Sequence, residues 1–423
     1  MRATLLVATA VATCISLYCV GATFGYFHQP IPGIEVSPKA SLLAFIAAPS
    51  FAVFATYILR RAPFSFGYVC SIYFLCIVVG YLWINPFSRL PYDHQAALVS
   101  AFLSGAALLV VLVTSSRLRL ARFQLRPSFT ELLPYALLVI GAVTVGAALR
   151  YNFHLVGLAD IYQFRDSIDF PMPLRYANGI VQSTLLPFAF ACFVERRRAL
   201  PSIAALVLMA AFYPATLSKF AAFAPFWLLF LLALQRFSKP ENAVILSVLL
   251  PLVVGLASLA VESGLHHGVY RVFGLINFRM FGVTSISMEV YNAFFYSHAP
   301  THFCQIGFVR SLIGCPYDPQ LGVELARAYE LGNFNASLLS TEGIASVGTE
   351  WAPLTVLASG AILAFGSVMA SHLPARFVLL SSGIVVQQII NVPLSTALLS
   401  HGAALLFLLW WLTPKMVPLD NPQ

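Results

Sequence analysis

Apolar residues along this chain come in long, even runs rather than in stripes. From Thr4 to Phe24 nearly every position is apolar or small, and comparable runs recur near 41–59, 66–85, 96–116, 132–149, 176–194, 200–217, 220–235, 243–261, 351–371, 376–392 and 396–413. A helix needs about 20 apolar residues to cross a bilayer. The pattern therefore predicts an all-α polytopic integral membrane protein with about twelve transmembrane helices. The first run follows Met1-Arg2 and resembles a signal peptide in position, but it is long and no polar mature domain follows it. It is read as a retained first span.

One interval breaks the rhythm. Residues 262–350 contain no convincing spanning run and hold Arg271, Arg279, Arg310, Arg327, Glu289, Asp318, Glu324, Glu330, Glu342, His266, His267, His298 and His302. Val269 to Tyr296 is rich in Phe, Met, Ile and Val with charges interspersed. It reads as an amphipathic helix along the membrane surface or as a re-entrant segment. Cys315-Pro316-Tyr317-Asp318-Pro319 is a turn, and Leu321 to Leu331 a short helix ahead of Gly332. The expected organisation is a bundle of about nine spans over 1–261 with an outward loop at 150–175, a large outward loop with short interfacial helices over 262–350, and about three spans and a tail over 351–423. Binding residues concentrate on loops held by a rigid scaffold, so function is expected in the large loop.

Composition strengthens the membrane reading: 59% of residues are hydrophobic and 9% charged, against about 25% charged in soluble domains. The net charge of +8 is topogenic rather than a sign of nucleic-acid binding. With the N-terminus inside, Arg2, Arg60, Arg61, Arg117, Arg119, Arg122, Arg126, Arg196, Arg197, Arg198, Arg236, Lys239, Arg376 and Lys415, 14 of the 24 basic residues, fall on the cytoplasmic side. That is the expected bias. Both termini are then cytoplasmic and the 262–350 loop faces outward. Cys14, Cys19, Cys70, Cys76 and Cys192 lie in apolar runs and read as packing residues. Cys304 and Cys315 share the outward loop, where a disulfide is open to them. No metal-ligand spacing is evident; His266 and His267 are adjacent and cannot share a helix face.

The remaining basic residues run against the topogenic bias. Arg150, Arg165, Arg175, Lys219, Arg271, Arg279, Arg310 and Arg327 lie in outward segments. Each has acids nearby to pair with, such as Asp160, Asp166 and Asp169. As a set on one face they would make an anion site.

Near the end of the large loop the residues Asn333-Phe334-Asn335-Ala336, Thr341-Glu342-Gly343 and Ser346-Val347-Gly348 lead into Trp351. With the small-residue-plus-basic turn Thr216-Leu217-Ser218-Lys219, the ten residues between Arg271 and Gly282 and the overall architecture, this resembles the Wzy-type oligosaccharide repeat-unit polymerases. Thr349-Glu350-Trp351 stands where that family often has a second glycine. The resemblance implies a glycosyltransferase of the bacterial inner membrane. Its donor is a growing glycan on undecaprenyl pyrophosphate and its acceptor a lipid-linked oligosaccharide unit. A chain-length regulator and a flippase are implied partners, and no cofactor is required.

It further implies a pyrophosphate site at Arg271, Arg279 and Arg310, helped by Arg150, Arg165 and Lys219, since guanidinium groups bond phosphate oxygens bidentately. The base candidates are Glu342 first, then His302, His298 and Asp166. Asn335, Tyr291 and Tyr296 are candidate sugar contacts. Asn335 is equally a helix cap, and the aromatics equally an interfacial belt. Two alternatives stay open. One is an O-antigen ligase-like lipid-linked glycosyltransferase, although ligases place a histidine before the asparagine where this chain has Phe334. The other is a transporter or flippase.

Overall fold

The computed structural model describes residues 1–23, 37–115, 118, 127–157, 161, 164, 168–264, 271–318, 320–329 and 341–414. Among them it is all-helical, with no β-strand. Nine helices follow one another: α1 Arg2–Thr23, α2 Pro38–Leu59, α3 Phe66–Ile84, α4 His94–Ser115, α5 Pro127–Tyr151, α6 Met172–Glu195, α7 Ala199–Thr216, α8 Lys219–Phe237 and α9 Pro240–Gly264. Next come α10 over 271–297, α11 Gly307–Ile313, α12 Leu321–Tyr329 and α13 Thr341–Val347. The chain closes with α14 Ala352–Met369, α15 Ala375–Ile389, α16 Leu394–Leu399 and α17 Ala403–Leu412. Ten of these, α1 to α9 and α14, are long and apolar enough to cross a membrane.

α3 is the axis of the bundle. Of its spanning window 94% is buried, against 28–78% for the other nine. The peripheral helices instead turn Leu42, Phe45 and Val53 (α2), Leu132, Val139 and Val143 (α5) or Leu200, Ile203 and Val207 (α7) outward, as lipid-facing walls do. Ser65 starts α3 by accepting the Tyr68 N–H at 3.0 Å, satisfying one of the orphan donors of a helix start.

Arg2 fixes one end, here called proximal. Its guanidinium pairs with Glu241 at 3.2 Å and donates to the Ala62 carbonyl at 2.8 Å, tying the ends of α1, α2 and α9 together. Arg196 donates to the Thr130 carbonyl at 2.8 Å, and Arg376 pairs with Glu195 at 3.9 Å. The basic clusters around Arg60, Arg196 and Arg376 thus share the proximal end. The other end, distal, receives Thr23, Ile84, His94, Tyr151, Met172, Lys219 and Gly264.

Two features depart from the hydropathy pattern. The first is α10, which packs into the bundle as the re-entrant alternative expects rather than lying apart from it. Its Asn277 amide donates to Ser16 Oγ at 2.9 Å and to the Leu252 carbonyl at 3.1 Å. Ser285 donates to the Ile77 carbonyl at 3.1 Å. Ser16 and Ile77 lie in the distal halves of α1 and α3, and Leu252 at the midpoint of α9. The Asn277 side chain fits because Gly255 faces it; a Cβ there would stand 1.5 Å from Asn277 Oδ1. Over Gly274–Gly282 the helix widens to a π turn, a feature frequent at functional sites.

The second is the last span, expected as one run over 396–413. It is broken into α16 and α17 at Ser400-His401-Gly402, with Gly402 at φ +75°. The Thr184 hydroxyl donates to the His401 carbonyl at 2.8 Å, satisfying a backbone oxygen that the break releases. The short helix expected over Leu321 to Leu331 is α12; residues 330–332 lie outside the described residues.

Candidate functional site

The distal end gathers three elements: the exit of α10, the short helix α13, and the start of the broken span. α13 packs on both α10 and α14. It presents Glu342, whose Oε2 accepts the Leu394 N–H at 3.0 Å, the first donor of α16. Leu394 opens α16 after Pro393, so its N–H has no acceptor within the helix and the carboxylate takes it. Glu342 is partly buried. Burial pushes its carboxyl above the ordinary carboxylate range, and the Leu394 hydrogen bond offsets part of that rise. Its charge acts on Tyr291 of α10, a fully buried residue whose hydroxyl has no partner among the described residues.

The loop after α10 folds back over the same helices. Thr301 N–H donates to the Ala345 carbonyl at 2.7 Å and His302 N–H to the Ser346 carbonyl at 3.2 Å, which ties His302 to the last turn of α13. His298 stacks on Phe294 at 4.0 Å, and its Nδ1 meets the Phe294 carbonyl at 2.8 Å. A carbonyl only accepts, so Nδ1 carries the proton and Nε2 is left as the basic nitrogen. Tyr317 donates to the Ala299 carbonyl at 2.7 Å. Cys304 and Cys315 are joined in a disulfide that encloses α11 and Arg310.

The expected site residues divide accordingly. Glu342 and Tyr291 are neighbours across α13 and α10, whereas His298 stays on Phe294 at the end of α10 and His302 is tied to α13 through its backbone, both with exposed side chains. Tyr291 presents no ring face to open space, because it is buried against Phe295 at 6.0 Å; Tyr296 is exposed. Arg310 is paired with Asp318 at 3.3 Å on the disulfide loop. Arg279 projects exposed from the π turn.

Arg150 and Lys219 stand on another wall. Asn152, just beyond Arg150, donates to the Ala215 carbonyl at 2.6 Å, just before Lys219. No described contact joins that wall to Arg279 or Arg310. Asp166, Arg165, Asn335 and the side chain of Arg271 lie outside the described residues. Among the described residues no cluster of three or more His, Cys, Asp or Glu could hold a metal.

Sequence reasoning passed over a second buried polar group. Tyr92 donates to Glu289 Oε2 at 2.5 Å. Asn85 Nδ2 reaches the Tyr81 and Tyr92 hydroxyls at 3.0 Å each, and Asn292 Nδ2 reaches Tyr81 at 3.0 Å. Thr349 closes the group by donating to Asn292 Oδ1 at 2.7 Å. The available signal was the spacing of Ser285, Glu289 and Asn292, a polar stripe at i, i+4 and i+7 along an otherwise apolar segment. The chain matches no family model, no characterised protein and no solved structure.

Proposed function

We propose that this protein is a membrane glycosyltransferase of the repeat-unit polymerase kind. On this reading it acts at its distal face on undecaprenyl-pyrophosphate-linked oligosaccharide. The observation that carries the reading is Glu342: a partly buried carboxylate, held by one backbone N–H at the start of a short helix, with its affinity for a proton raised. Such a group suits a general base near neutral pH. The acceptor hydroxyl gives its proton to Glu342 as its oxygen attacks the anomeric carbon of the donor. The bond from that carbon to the pyrophosphate oxygen breaks, and lipid pyrophosphate leaves with the electron pair. Arg310, Arg150 and Lys219, among the described cations of the distal end, and Arg279 on the π turn of α10 are the groups that would meet that charge.

Two observations support the orientation. The basic clusters share the proximal end, as cytoplasmic ends do. The Cys304–Cys315 disulfide lies at the distal end and suits an oxidising compartment such as the periplasm. On this reading the site faces outward from a bacterial inner membrane, with both termini inside.

The discontinuous last span favours a second reading, transport of the lipid-linked unit, since broken helices in the bundle are how many transporters build binding sites. Complementation of a deletion strain separates the two. Under the polymerase reading the deletion loses long surface chains and keeps single units. Glu342→Gln, inserted at wild-type level, restores about 1% of polymer or less. Long polymer stranded on the lipid carrier would identify a ligase. Single units trapped on the cytoplasmic side would identify transport, and unchanged glycan would remove all three.

A further inference from the structure

The group around Glu289 is an arrangement that the proposed transfer chemistry does not use. Glu289 is 5% exposed, and among the described residues no arginine, lysine or histidine acts on it; its polar neighbours are Ser88 and Tyr92. A carboxylate inside a membrane bundle that meets no cation among the described residues is costly and marks a function by default. Two oxygens are left over here, Glu289 Oε1 and Asn85 Oδ1, both buried and without a hydrogen-bond partner among the described residues. Their orientation follows from proton counting. The Tyr92 hydroxyl has one proton and gives it to Glu289 Oε2, so toward Asn85 it can only accept. Asn85 must therefore present its NH2 to Tyr92 and turn its carbonyl oxygen away.

We propose that Glu289 Oε1 and Asn85 Oδ1, with the Ser88 hydroxyl, form a site for a single alkali cation. The chemistry selects this class. The donors are all hard oxygens, which suit alkali and alkaline-earth ions rather than transition metals. A single carboxylate neutralises one positive charge, whereas divalent sites on oxygen ligands draw on more. The site would fasten three pieces at the distal end: α10 through Glu289, the end of α3 through Asn85, and the connection to α4 through Ser88. Because α10 also carries Tyr291 toward Glu342, the cation would hold the helix that lines the candidate active site.

The test is thermal unfolding of the purified full-length protein in detergent at pH 8, titrated with NaCl or KCl against choline chloride at constant ionic strength. A bound ion raises the unfolding temperature in proportion to the logarithm of its concentration above Kd. The wild type should gain a few degrees with Na+ or K+ over choline, and Glu342→Gln should keep that gain. Glu289→Gln should lose it. If Glu289→Gln does not fold, Asn85→Ala carries the test, with a half-saturating concentration raised several-fold. No difference between alkali ions and choline in the wild type would overturn the site. So would an Asn85→Ala response equal to wild type, or a stability that follows pH alone, which would mean that Glu289 carries a proton.

Discussion

α3 and α10 are both buried, yet they are held by different forces. α3 has no charged residue and is buried along almost its whole length, with a few hydrogen bonds across to neighbours such as Tyr73 to Ser247 at 3.0 Å. α10 carries Arg271, Arg279 and Glu289 together with Asn277, Ser285, Ser287 and Asn292. Its place depends on hydrogen bonds from those side chains to α1, α3 and α9. Hydropathy measures transfer of each residue alone. Burial of a polar group depends on whether it finds a partner. A bundle can therefore enclose a helix that no hydropathy window would select, provided its polar side chains are satisfied one by one. Such a helix is more sensitive to single substitutions than α3.

The largest expected effect breaks that contrast directly. Gly255→Ala puts a methyl group where Asn277 Oδ1 stands, 1.5 Å away, so the amide must leave its bonds to Ser16 and Leu252. We expect a loss of about 2 kcal/mol or more, the sum of overpacking and lost interhelical hydrogen bonds, read as a lower unfolding temperature of the purified protein. Gly146→Ala on α5 meets nothing within 4 Å. It should be neutral or stabilising by up to about 1 kcal/mol from helix propensity. Equal losses at the two sites would show that α10 is not docked through Asn277.

This contrast also marks what was legible in the sequence. The runs at 4–26, 66–85 and 351–371 correspond to α1, α3 and α14, because an unbroken apolar stretch of bilayer length has few other uses. The last run, 396–413, did not disclose its break. Ser400-His401-Gly402 is a weak interruption on its own, and it is the bond from Thr184, distant in sequence, to the His401 carbonyl that satisfies the broken form. Glu342 was legible as a candidate from its motif, whereas Tyr291 as its buried neighbour was not. Asn85, Tyr92 and Glu289 were out of reach for the same reason: Tyr92 and Glu289 lie 197 positions apart, and only the fold makes them neighbours.

A smaller effect concerns pH. The Glu342 carboxyl is raised in the folded protein, so the folded state holds its proton to higher pH than the unfolded chain does. Stability from this group is therefore fully present below the unfolded value and is lost as pH rises through the folded one. Base catalysis has the opposite sign, because only the carboxylate accepts a proton. In vitro polymerisation should thus rise over the same window, above the ordinary carboxylate range, in which the unfolding temperature falls. Glu342→Gln should flatten the stability profile while abolishing polymer. A wild-type activity that stays constant through that window would remove Glu342 as the base.

The smallest expected effect on stability falls at the tip of the distal loop, where polar groups face water. Arg310 is 47% exposed and its partner Asp318 fully so, and an ion pair in that setting is screened by solvent and salt. Arg310→Ala should leave the unfolding temperature unchanged within error, unlike any substitution that unpairs Asn277. If Arg310 meets the pyrophosphate of the donor, the same variant should still shorten the glycan or lower the amount of polymer, because a charge that does nothing for the fold can stabilise a leaving group. Measuring both quantities on one variant separates the roles. Unchanged stability with unchanged polymer would take Arg310 out of the site. A fall in stability would mean that the disulfide loop is held to the bundle through this pair, and that exposure is a poor guide to what anchors the distal end.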